Sequence, residues 1–179
     1  MKKKKNKFIS PLIAVLIILA AIGVVKHFHI KNFHVIEPSM LYTSGQPSGM
    51  DYTRLLYKYH IAAFVNVRSA DEHRDHNWYN EEVTWMRENS ANYIELPMEK
   101  YSVPDSRTVA KFFAIMSEPT NLPVLIHGGS GEMRVSMLAG AWLLKSGRGE
   151  LEEVAAKAEK INGQKLTEEE FVFLKSFTE

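Results

Sequence analysis

The sequence predicts an α/β domain whose central, mostly parallel sheet is flanked by helices. Apolar runs of strand length, such as residues 61–67, alternate along the chain with longer segments of helical periodicity. The short runs are apolar throughout, which is typical of strands that are covered on both faces. A length of 179 residues and a hydrophobic content of 45% fit one globular domain of this kind.

The domain is preceded by a segment that we predict to be a single transmembrane helix. Residues 8–25 form an uncharged apolar run that would span about 27 Å as a helix, enough to cross a bilayer core. Five Lys precede this run and two follow it closely, so the positive-inside rule places the N-terminus in the cytoplasm and the domain outside the cell membrane. The alternative is a cleaved signal peptide, for which Ala21-Ile22-Gly23 would be a weak cleavage site.

These patterns divide the chain into a basic head at residues 1–7, the anchor at 8–25, a polar linker at 26–32 and the domain at 33–179. Residues 32–179 carry 15 basic and 21 acidic side chains, because seven of the 22 Lys and Arg residues lie before them. Such an acidic domain without a basic run argues against a nucleic-acid partner. The absence of Cys excludes disulfides, iron–sulfur clusters, Cys-ligated zinc and any thiol nucleophile. We expect no cofactor and no metal.

In the first half of the domain, the elements are predicted from turn signals and apolar spacing. A Glu37-Pro38 turn separates two short strands, and Asp51 is a candidate N-cap for the first helix. Tyr79, Val83 and Met86 are expected to form the buried face of the second helix. The predicted order is strands 33–36 and 41–44, a helix from 51 to about 59, strand 61–67, a polar loop 69–77 and a helix 78–89.

In the second half, amphipathic and apolar helices dominate. The segment 133–145 is apolar on nearly all sides, which predicts a central buried helix, and Thr167 with Glu170 forms a capping box that opens the last helix. The predicted order is strand 93–96, a helix 105–117 with Val109, Phe112, Phe113 and Met116 inward, strand 124–126, helix 133–145, an apolar stripe over 151–161 and a helix from 167.

A glycine-rich loop connects the strand 124–126 to the central helix and carries the chemistry. Its glycines let backbone N–H groups converge, and the N-terminus of the following helix favours an anion. Arg134, in the first turn of that helix, offers a planar guanidinium to a phosphate or sulfate. The residues expected to hold the anion are Gly129, Ser130, Gly131, Glu132, Met133 and Arg134, with the Glu132 side chain turned to solvent.

The loop resembles that of the cysteine-dependent protein tyrosine and dual-specificity phosphatases, in the small bacterial, membrane-anchored type. His127-x6-Arg134, with Gly131 in its place, is similar to the family's His-Cys-x5-Arg loop. The resemblance implies a compact dual-specificity-phosphatase-like fold, with the loop between the last strand and the central helix and with His127 supporting the loop from behind. It continues in the segments 41–47 (LYTSGQP), 65–68 (VNVR), 78–82 (WYNEE) and 93–97 (YIELP).

Two departures from the family pattern bear on catalysis. Gly128 occupies the position of the nucleophilic Cys, and Val135 replaces the hydroxyl residue that usually follows the Arg, with Ser136 one position later. A glycine cannot form a covalent phospho-enzyme. We therefore predict a pseudophosphatase that binds a phosphorylated or anionic group. The alternatives are an active phosphatase that uses a non-cysteine route, and a non-catalytic interaction module.

Several further residues have two possible roles. Asp105 is a candidate general acid, or it caps helix 105–117 as part of a Ser102-x-x-Asp105 capping box; Glu99 is the alternative acid or an exposed loop residue. Ser130 is a weak candidate nucleophile, because no base is evident beside it. Arg68 either lines the pocket or pairs with an acid. A metal site would need Asp71, His73, Asp75 and His76, whereas a solvated loop is the preferred interpretation of that segment.

Overall fold

A computed structural model describes residues 11, 13–20, 29–73 and 77–178 of the chain. Its sheet has five strands in the order β1-β2-β5-β3-β4, with β1 antiparallel to β2 and every other pair parallel. The predicted α/β fold with a mostly parallel sheet is therefore confirmed. The strands are β1 (His34–Glu37), β2 (Leu41–Ser44), β3 (Ala63–Asn66), β4 (Asn92–Glu95) and β5 (Val124–His127).

Alternate strand residues point to opposite faces of the sheet, and both faces carry buried apolar side chains. Helices therefore cover both faces. In β5, Val124 and Ile126 belong to one core cluster, and Leu125 belongs to the other. The helices are α1 (Met50–Lys58), α2 (Ala70–His73), α3 (Asn77–Glu88), α4 (Ser106–Ser117), α5 (Met133–Lys145), α6 (Leu151–Asn162) and α7 (Glu168–Lys175), with a 3-10 turn at Pro119–Asn121. The larger cluster receives α4, α5, α6 and α7, and the smaller one receives α1 and α3.

The central helix α5 has the bounds that its sequence predicts. All its residues from Arg134 to Leu144 are buried, so the helix is enclosed on all sides, as its almost uniformly apolar sequence predicts. The capping box at Thr167 is also present, since the Thr167 hydroxyl accepts from the Glu170 N–H and the Glu170 carboxylate accepts from the Thr167 N–H. These helices position the glycine-rich loop at the carboxyl edge of the sheet.

Three local predictions differ from the structure. Helix α1 begins at Met50 with Gly49 at the N-cap, and the Asp51 carboxylate accepts from the Ser48 N–H at 3.1 Å instead of capping the helix itself. The predicted loop 69–77 contains the short helix α2. The buried residues of α3 are Glu82 and Met86. Met86 was predicted to be buried, but an acidic residue, Glu82, also lies on the face that was predicted to be apolar.

The N-terminal prediction extends beyond the described part of the chain. Residues 11 and 13–20 are helical with exposed side chains. Within the described residues, no helix has the length and apolar character needed to cross a bilayer. The basic head and residues 8–10, 12 and 21–25 of the predicted anchor lie outside those residues. Of the predicted linker, residues 30–32 pack against the domain, with Ile30 buried.

Candidate anion-binding site

The glycine-rich loop lies where three parallel strands end. It follows β5 directly, and the last residues of β2 and β3, Ser44 and Asn66, both pair with His127. In open α/β sheets, ligands bind at this edge. The loop forms the floor of a cavity of about 640 Å³, and the other residues around this cavity are Arg68, Glu72, Lys100, Tyr101, Gln164, Thr167 and Glu170.

Gly131 is the loop position that tolerates no side chain. Its φ of +77° lies in the left-handed region. A Cβ placed there would lie 2.2 Å from the Gly45 N atom and 2.4 Å from the Ser44 carbonyl carbon. The loop is therefore pressed against the backbone at the end of β2, and this close approach sets its shape.

Contacts behind the loop orient its peptide groups. The Gly129 carbonyl accepts from Lys31 Nζ at 2.8 Å and from the Gln46 N–H at 3.3 Å, and the Gly131 carbonyl accepts from Asn32 Nδ2. In a trans peptide the N–H points opposite to the carbonyl. The N–H groups of residues 130 and 132 thus point away from these partners, and no acceptor among the described residues bonds to them.

Arg134 is held so that one edge of its guanidinium remains open. Its Nη1 donates to the carbonyls of Val67 and Met98, at 3.2 and 3.3 Å, and to Glu72. Nη2 donates once, to Glu72 Oε1 at 3.2 Å. Among the described residues, neither Nε nor the second N–H of Nη2 has an acceptor. Because Nη2 lies 3.9 Å from a Cβ placed on Gly128, this open edge borders the loop.

Glu72 holds Arg134 from above the loop. Its carboxylate also accepts from the backbone N–H and hydroxyl of Ser69, at 3.0 and 3.2 Å, and from Arg68 Nε at 3.2 Å. Burial acts to raise the pKa of Glu72, but the hydrogen bonds from Arg134 and Ser69 and the charges of both arginines outweigh it and lower the pKa to about 2. The Glu72 carboxylate is therefore ionised at neutral pH.

His127 lies beneath the loop and is completely buried. Its Nε2 lies 3.2 Å from Glu82 Oε1, but without hydrogen-bond geometry, and neither ring nitrogen has a hydrogen-bond partner among the described residues. Burial, with smaller contributions from Arg68 and His73, lowers the pKa of His127 to about 3. The imidazole is therefore neutral, and a role of His127 in supporting the loop stays a prediction.

Glu82 is the second carboxylate near the loop, and it is also completely buried. It accepts from Gln46 Nε2 at 3.1 Å, Tyr52 OH at 3.3 Å, Asn66 Nδ2 at 3.2 Å and Tyr93 OH at 3.1 Å. Burial raises the pKa of Glu82 to about 7, although the hydrogen bonds from Tyr93, Gln46 and Tyr52 and the charge of Arg68 act to lower it. Helix α3 thereby places a titratable group under β5.

The structure has room for a side chain at Gly128. Its φ is not in the left-handed region, and a Cβ placed on it would lie 3.4 Å from Val67 Cγ2 and 3.9 Å from Val135 Cγ1, which are ordinary contact distances. A Cys is thus sterically possible at the position where the resembling family has its nucleophile.

The hydroxyl that usually aids the thiolate has no replacement in this loop. Val135 is fully buried. Ser136 turns away from the loop, because its hydroxyl bonds to the Met133 carbonyl at 3.0 Å and to Asn162 Oδ1 at 2.6 Å. Ser130 and Glu132 are exposed, and the exposure of Glu132 agrees with the expectation that its side chain turns to solvent.

The two candidate acids lie in the segment between β4 and α4. Asp105 is the N-cap of α4, and its carboxylate accepts from the Thr108 N–H at 2.6 Å. This hydrogen bond lowers the pKa of Asp105, which disfavours the protonated form that a general acid needs. Glu99 is exposed, and neither residue lines the cavity. A catalytic role for either remains a prediction.

The histidine segment and Arg68 have different surroundings. His73 stacks on Tyr79 with ring centroids 4.5 Å apart, and within the described residues no group of three or more His, Asp or Glu side chains could hold a metal. Asp75 and His76 lie outside those residues. Arg68 lines the cavity and pairs with Glu72, so both interpretations of Arg68 apply.

Sequence reasoning missed the roles of both glutamates. Glu82 lies three residues after Tyr79 and four before Met86, so its position on the inner face of α3 is visible in the periodicity. Because Glu82 is an acidic residue, it was not counted in the predicted buried face of the helix. Glu72 lies four residues after Arg68, a spacing that predicts an ion pair once the segment is helical.

A family model described as "DSP-PTPase phosphatase fused to NAD+ Kinase" matches residues 19–174. No curated protein sequence matches the chain significantly.

Solved structures show the same fold at low sequence identity. The core catalytic domain of the PP-IP phosphatase Siw14 from S. cerevisiae is 17% identical, with a TM-score of 0.70 over 83% of this chain and 86% of that one. PTPMT1 in complex with PI(5)P is 17% identical, with a TM-score of 0.63 over 82% and 94%. A putative phosphatase from Shewanella putrefaciens CN-32 is 18% identical, with a TM-score of 0.63 over 83% and 92%.

Proposed function

The chain belongs to the family of DSP-PTPase phosphatases fused to NAD+ kinase, and from this premise we propose that it binds a phosphorylated or other anionic group on the loop 128–134 and is catalytically impaired. The protein is then a phosphatase-like binding protein whose ligand occupies the position of a substrate phosphate. The binding part and the catalytic part of this proposal depend on different residues, so they can be tested separately.

The open edge of Arg134 is the observation that carries the binding proposal. This edge borders a loop whose backbone N–H groups at residues 130 and 132 also have no acceptor among the described residues. An arginine edge, two backbone donors and the N-terminus of α5 together match the oxygens of a tetrahedral anion. Because Glu72 and two carbonyls already fix the guanidinium, little side-chain freedom remains to be lost on binding.

The catalytic part of the proposal follows from Gly128. The covalent route of the resembling family requires a nucleophile that forms a bond to phosphorus, and glycine has no side chain to form it. The neighbouring Val135 and Ser136 supply no hydroxyl to the loop. We therefore expect phosphate to be bound without turnover.

Binding is tested by titrating the full chain with vanadate and inorganic phosphate in calorimetry. Arg134→Ala removes a charge-assisted bidentate donor, which should weaken the affinity by about 10–100-fold. Arg148→Ala, which removes an arginine that pairs with Glu37 away from the cavity, is the matched control and should bind normally. Equal affinities in the parent and Arg134→Ala, or no binding by either, would defeat the binding proposal.

Catalysis is tested with a small aryl phosphate and the variant Gly128→Cys. The parent should not hydrolyse the ester above background, and Gly128→Cys should restore measurable turnover, because Arg134 and the α5 N-terminus lower the thiol pKa. The double variant Gly128→Cys/Val135→Thr should hydrolyse the ester faster than Gly128→Cys alone, because the Thr restores the hydroxyl that usually follows the Arg. A parent rate equal to that of Gly128→Cys would contradict impairment and favour a non-cysteine route through Asp105 or Glu99.

We also propose that residues 8–25 anchor the protein in the cell membrane with the domain outside. The support is the apolar run and the excess of Lys on its N-terminal side. Protease added to intact spheroplasts should degrade the domain and spare a cytoplasmic marker protein. Protection of the domain until the cells are lysed would overturn this topology.

A further inference from the structure

A second guanidinium lies in the cavity beside Arg134, and the proposed function does not use it. Arg68 lies two residues after the end of β3, and its backbone N–H donates to Asn66 Oδ1 at 2.9 Å, which holds the residue at the edge of the sheet. A Cβ placed on Gly129 would lie 3.8 Å from Arg68 Cζ. The charge of Arg68 is therefore next to the loop.

The Arg68 side chain is fixed on three sides. Its guanidinium lies over the Trp78 ring, with Cζ 3.8 Å from the centroid. Nε donates to Glu72 Oε1 at 3.2 Å, and Nη1 donates to Gln46 Oε1 at 3.3 Å. Nη2 has no acceptor among the described residues that line or surround the cavity. An arginine that is stacked and bonded in this way is already oriented before a ligand arrives.

The charges around the loop favour the Arg68 side for a further anion. One carboxylate, Glu72, pairs with both Arg68 and Arg134, and the exposed Lys100 also borders the cavity. Glu132 and Glu170 line the cavity as well, but among the described residues neither pairs with these two arginines. The opposite side is acidic, because Glu168 and Glu169 at the start of α7 line the adjoining hollow. A ligand group that extends from the loop toward α7 would meet repulsion, whereas one that extends toward Arg68 would meet a cation.

We propose that Arg68 binds a second anionic group of the ligand, so that the natural ligand carries two adjacent phosphoryl groups, as in a diphosphate. The first group occupies the loop and the open edge of Arg134, and the second one bonds to Nη2 of Arg68. A single phosphate would leave Arg68 unused. This inference rests on the proposed function, since it assumes that the loop binds phosphate.

The test compares inorganic phosphate with inorganic pyrophosphate, titrated into the full chain at one pH and one ionic strength. The parent should bind pyrophosphate at least about 10-fold more tightly than phosphate. Arg68→Gln should weaken pyrophosphate binding by about 10–100-fold and change phosphate binding less than about 3-fold, because only the second group contacts Arg68.

Two further variants make this test specific. Arg148→Gln is the matched control, since Arg148 also pairs with a glutamate and lies over a tryptophan ring, but away from the cavity. It should leave both affinities unchanged. If Arg68→Gln does not fold, Arg68→Lys keeps the charge and should lose part of the pyrophosphate preference, because it lacks the planar donor set.

The outcomes separate the inference from the proposed function. Equal affinities for phosphate and pyrophosphate in the parent overturn the inference. An equal loss of phosphate and pyrophosphate affinity in Arg68→Gln also overturns the inference. Arg68 would then act only through the long-range effect of its charge or by positioning Glu72, and not by binding a second phosphoryl group. Failure of the parent to bind either anion defeats the proposed function itself.

Discussion

The loop 128–132 has an inner side, which contacts Ser44 and Gly45 and lies above His127, and an outer side, which faces Arg68, Glu72 and the cavity. Each side has a glutamate next to it, and the two are shifted in opposite directions. The pKa of Glu82 is raised to about 7 because its burial outweighs its hydrogen bonds and the charge of Arg68. The pKa of Glu72 is lowered to about 2, since two arginines and Ser69 outweigh its burial.

This difference separates the part of the candidate site that sets its shape from the part to which we attribute anion binding. On the inner side, contacts are made by buried groups that cannot move without disturbing the sheet. On the outer side, ion pairs border solvent, where an incoming anion can compete for the same donors. Inner-side substitutions should therefore change the stability of the fold, and outer-side substitutions should have smaller effects on it.

The largest effect is expected for Gly131→Ala, on the inner side. The new Cβ would overlap the backbone of Ser44 and Gly45, so the variant should lose about 3–5 kcal/mol of unfolding free energy and also lose anion binding. Gly163→Ala is the matched control, because its φ of +70° is similar but no atom lies within 4 Å of the added Cβ. It should cost only about 1–2 kcal/mol. Equal costs in chemical denaturation would show that the loop is not pressed against β2.

The next largest effect is a pH dependence that Glu82→Gln should remove. A carboxyl whose folded pKa is raised from 4.5 to about 7 stabilises the fold when it is protonated, so this contribution falls as the pH rises from about 4.5 to 7 and stays low above that. Relative to Glu82→Gln, the parent should lose about 3 kcal/mol between pH 4 and pH 8. Denaturation midpoints across this range provide the measurement. Parallel pH profiles would mean that folding does not shift the pKa of Glu82.

A smaller effect of opposite sign is expected on the outer side, for Glu72→Gln. Because the folded pKa of Glu72 is depressed, its contribution is present above pH 4.5 and is lost as the pH falls toward 2. Solvent screens this pair, so the parent should lose about 1 kcal/mol more than the variant over that window. Acid denaturation followed by circular dichroism tests this prediction. An identical acid profile for the two proteins would contradict the ion pair.

The smallest effect is expected for Lys31→Met, which removes an exposed hydrogen bond to the Gly129 carbonyl. The free energy of unfolding should change by less than about 0.5 kcal/mol, because water replaces the lost donor. Asn32→Ala should cost more, since Asn32 bonds to two carbonyls, those of Gly131 and Ile161, in a half-buried position. A larger loss for Lys31→Met than for Asn32→Ala would reverse the order expected from burial.

The elements with a regular apolar pattern were predictable from the sequence. The bounds of β2 and α5 agree with the prediction, and Asp105 and Thr167 cap the helices that follow them. These features depend on local spacing and on capping chemistry, both of which can be read along the chain. The loop was predictable for the same reason, because its glycines and its arginine lie within eight consecutive residues.

The partners of the loop were not predictable, because they come from distant parts of the chain. Glu72 meets Arg134 across 62 positions, and Asn32 meets Gly131 across 99. The burial of Glu82 conflicts with the usual exposure of acidic residues, and only the fold shows that four donors surround it. Long-range contacts and buried polar groups of this kind leave no periodic signal in a single sequence.

The open space beside Gly128 bears on how far this protein lies, in mutational terms, from an enzyme with a thiol. Two of the four glycine codons become cysteine codons by a single base change. A Cβ at Gly128 would meet only ordinary contacts, to Val67, Arg134 and Val135, so the first side-chain atom of a Cys fits there. The backbone of the loop is therefore already compatible with the first step of such a replacement.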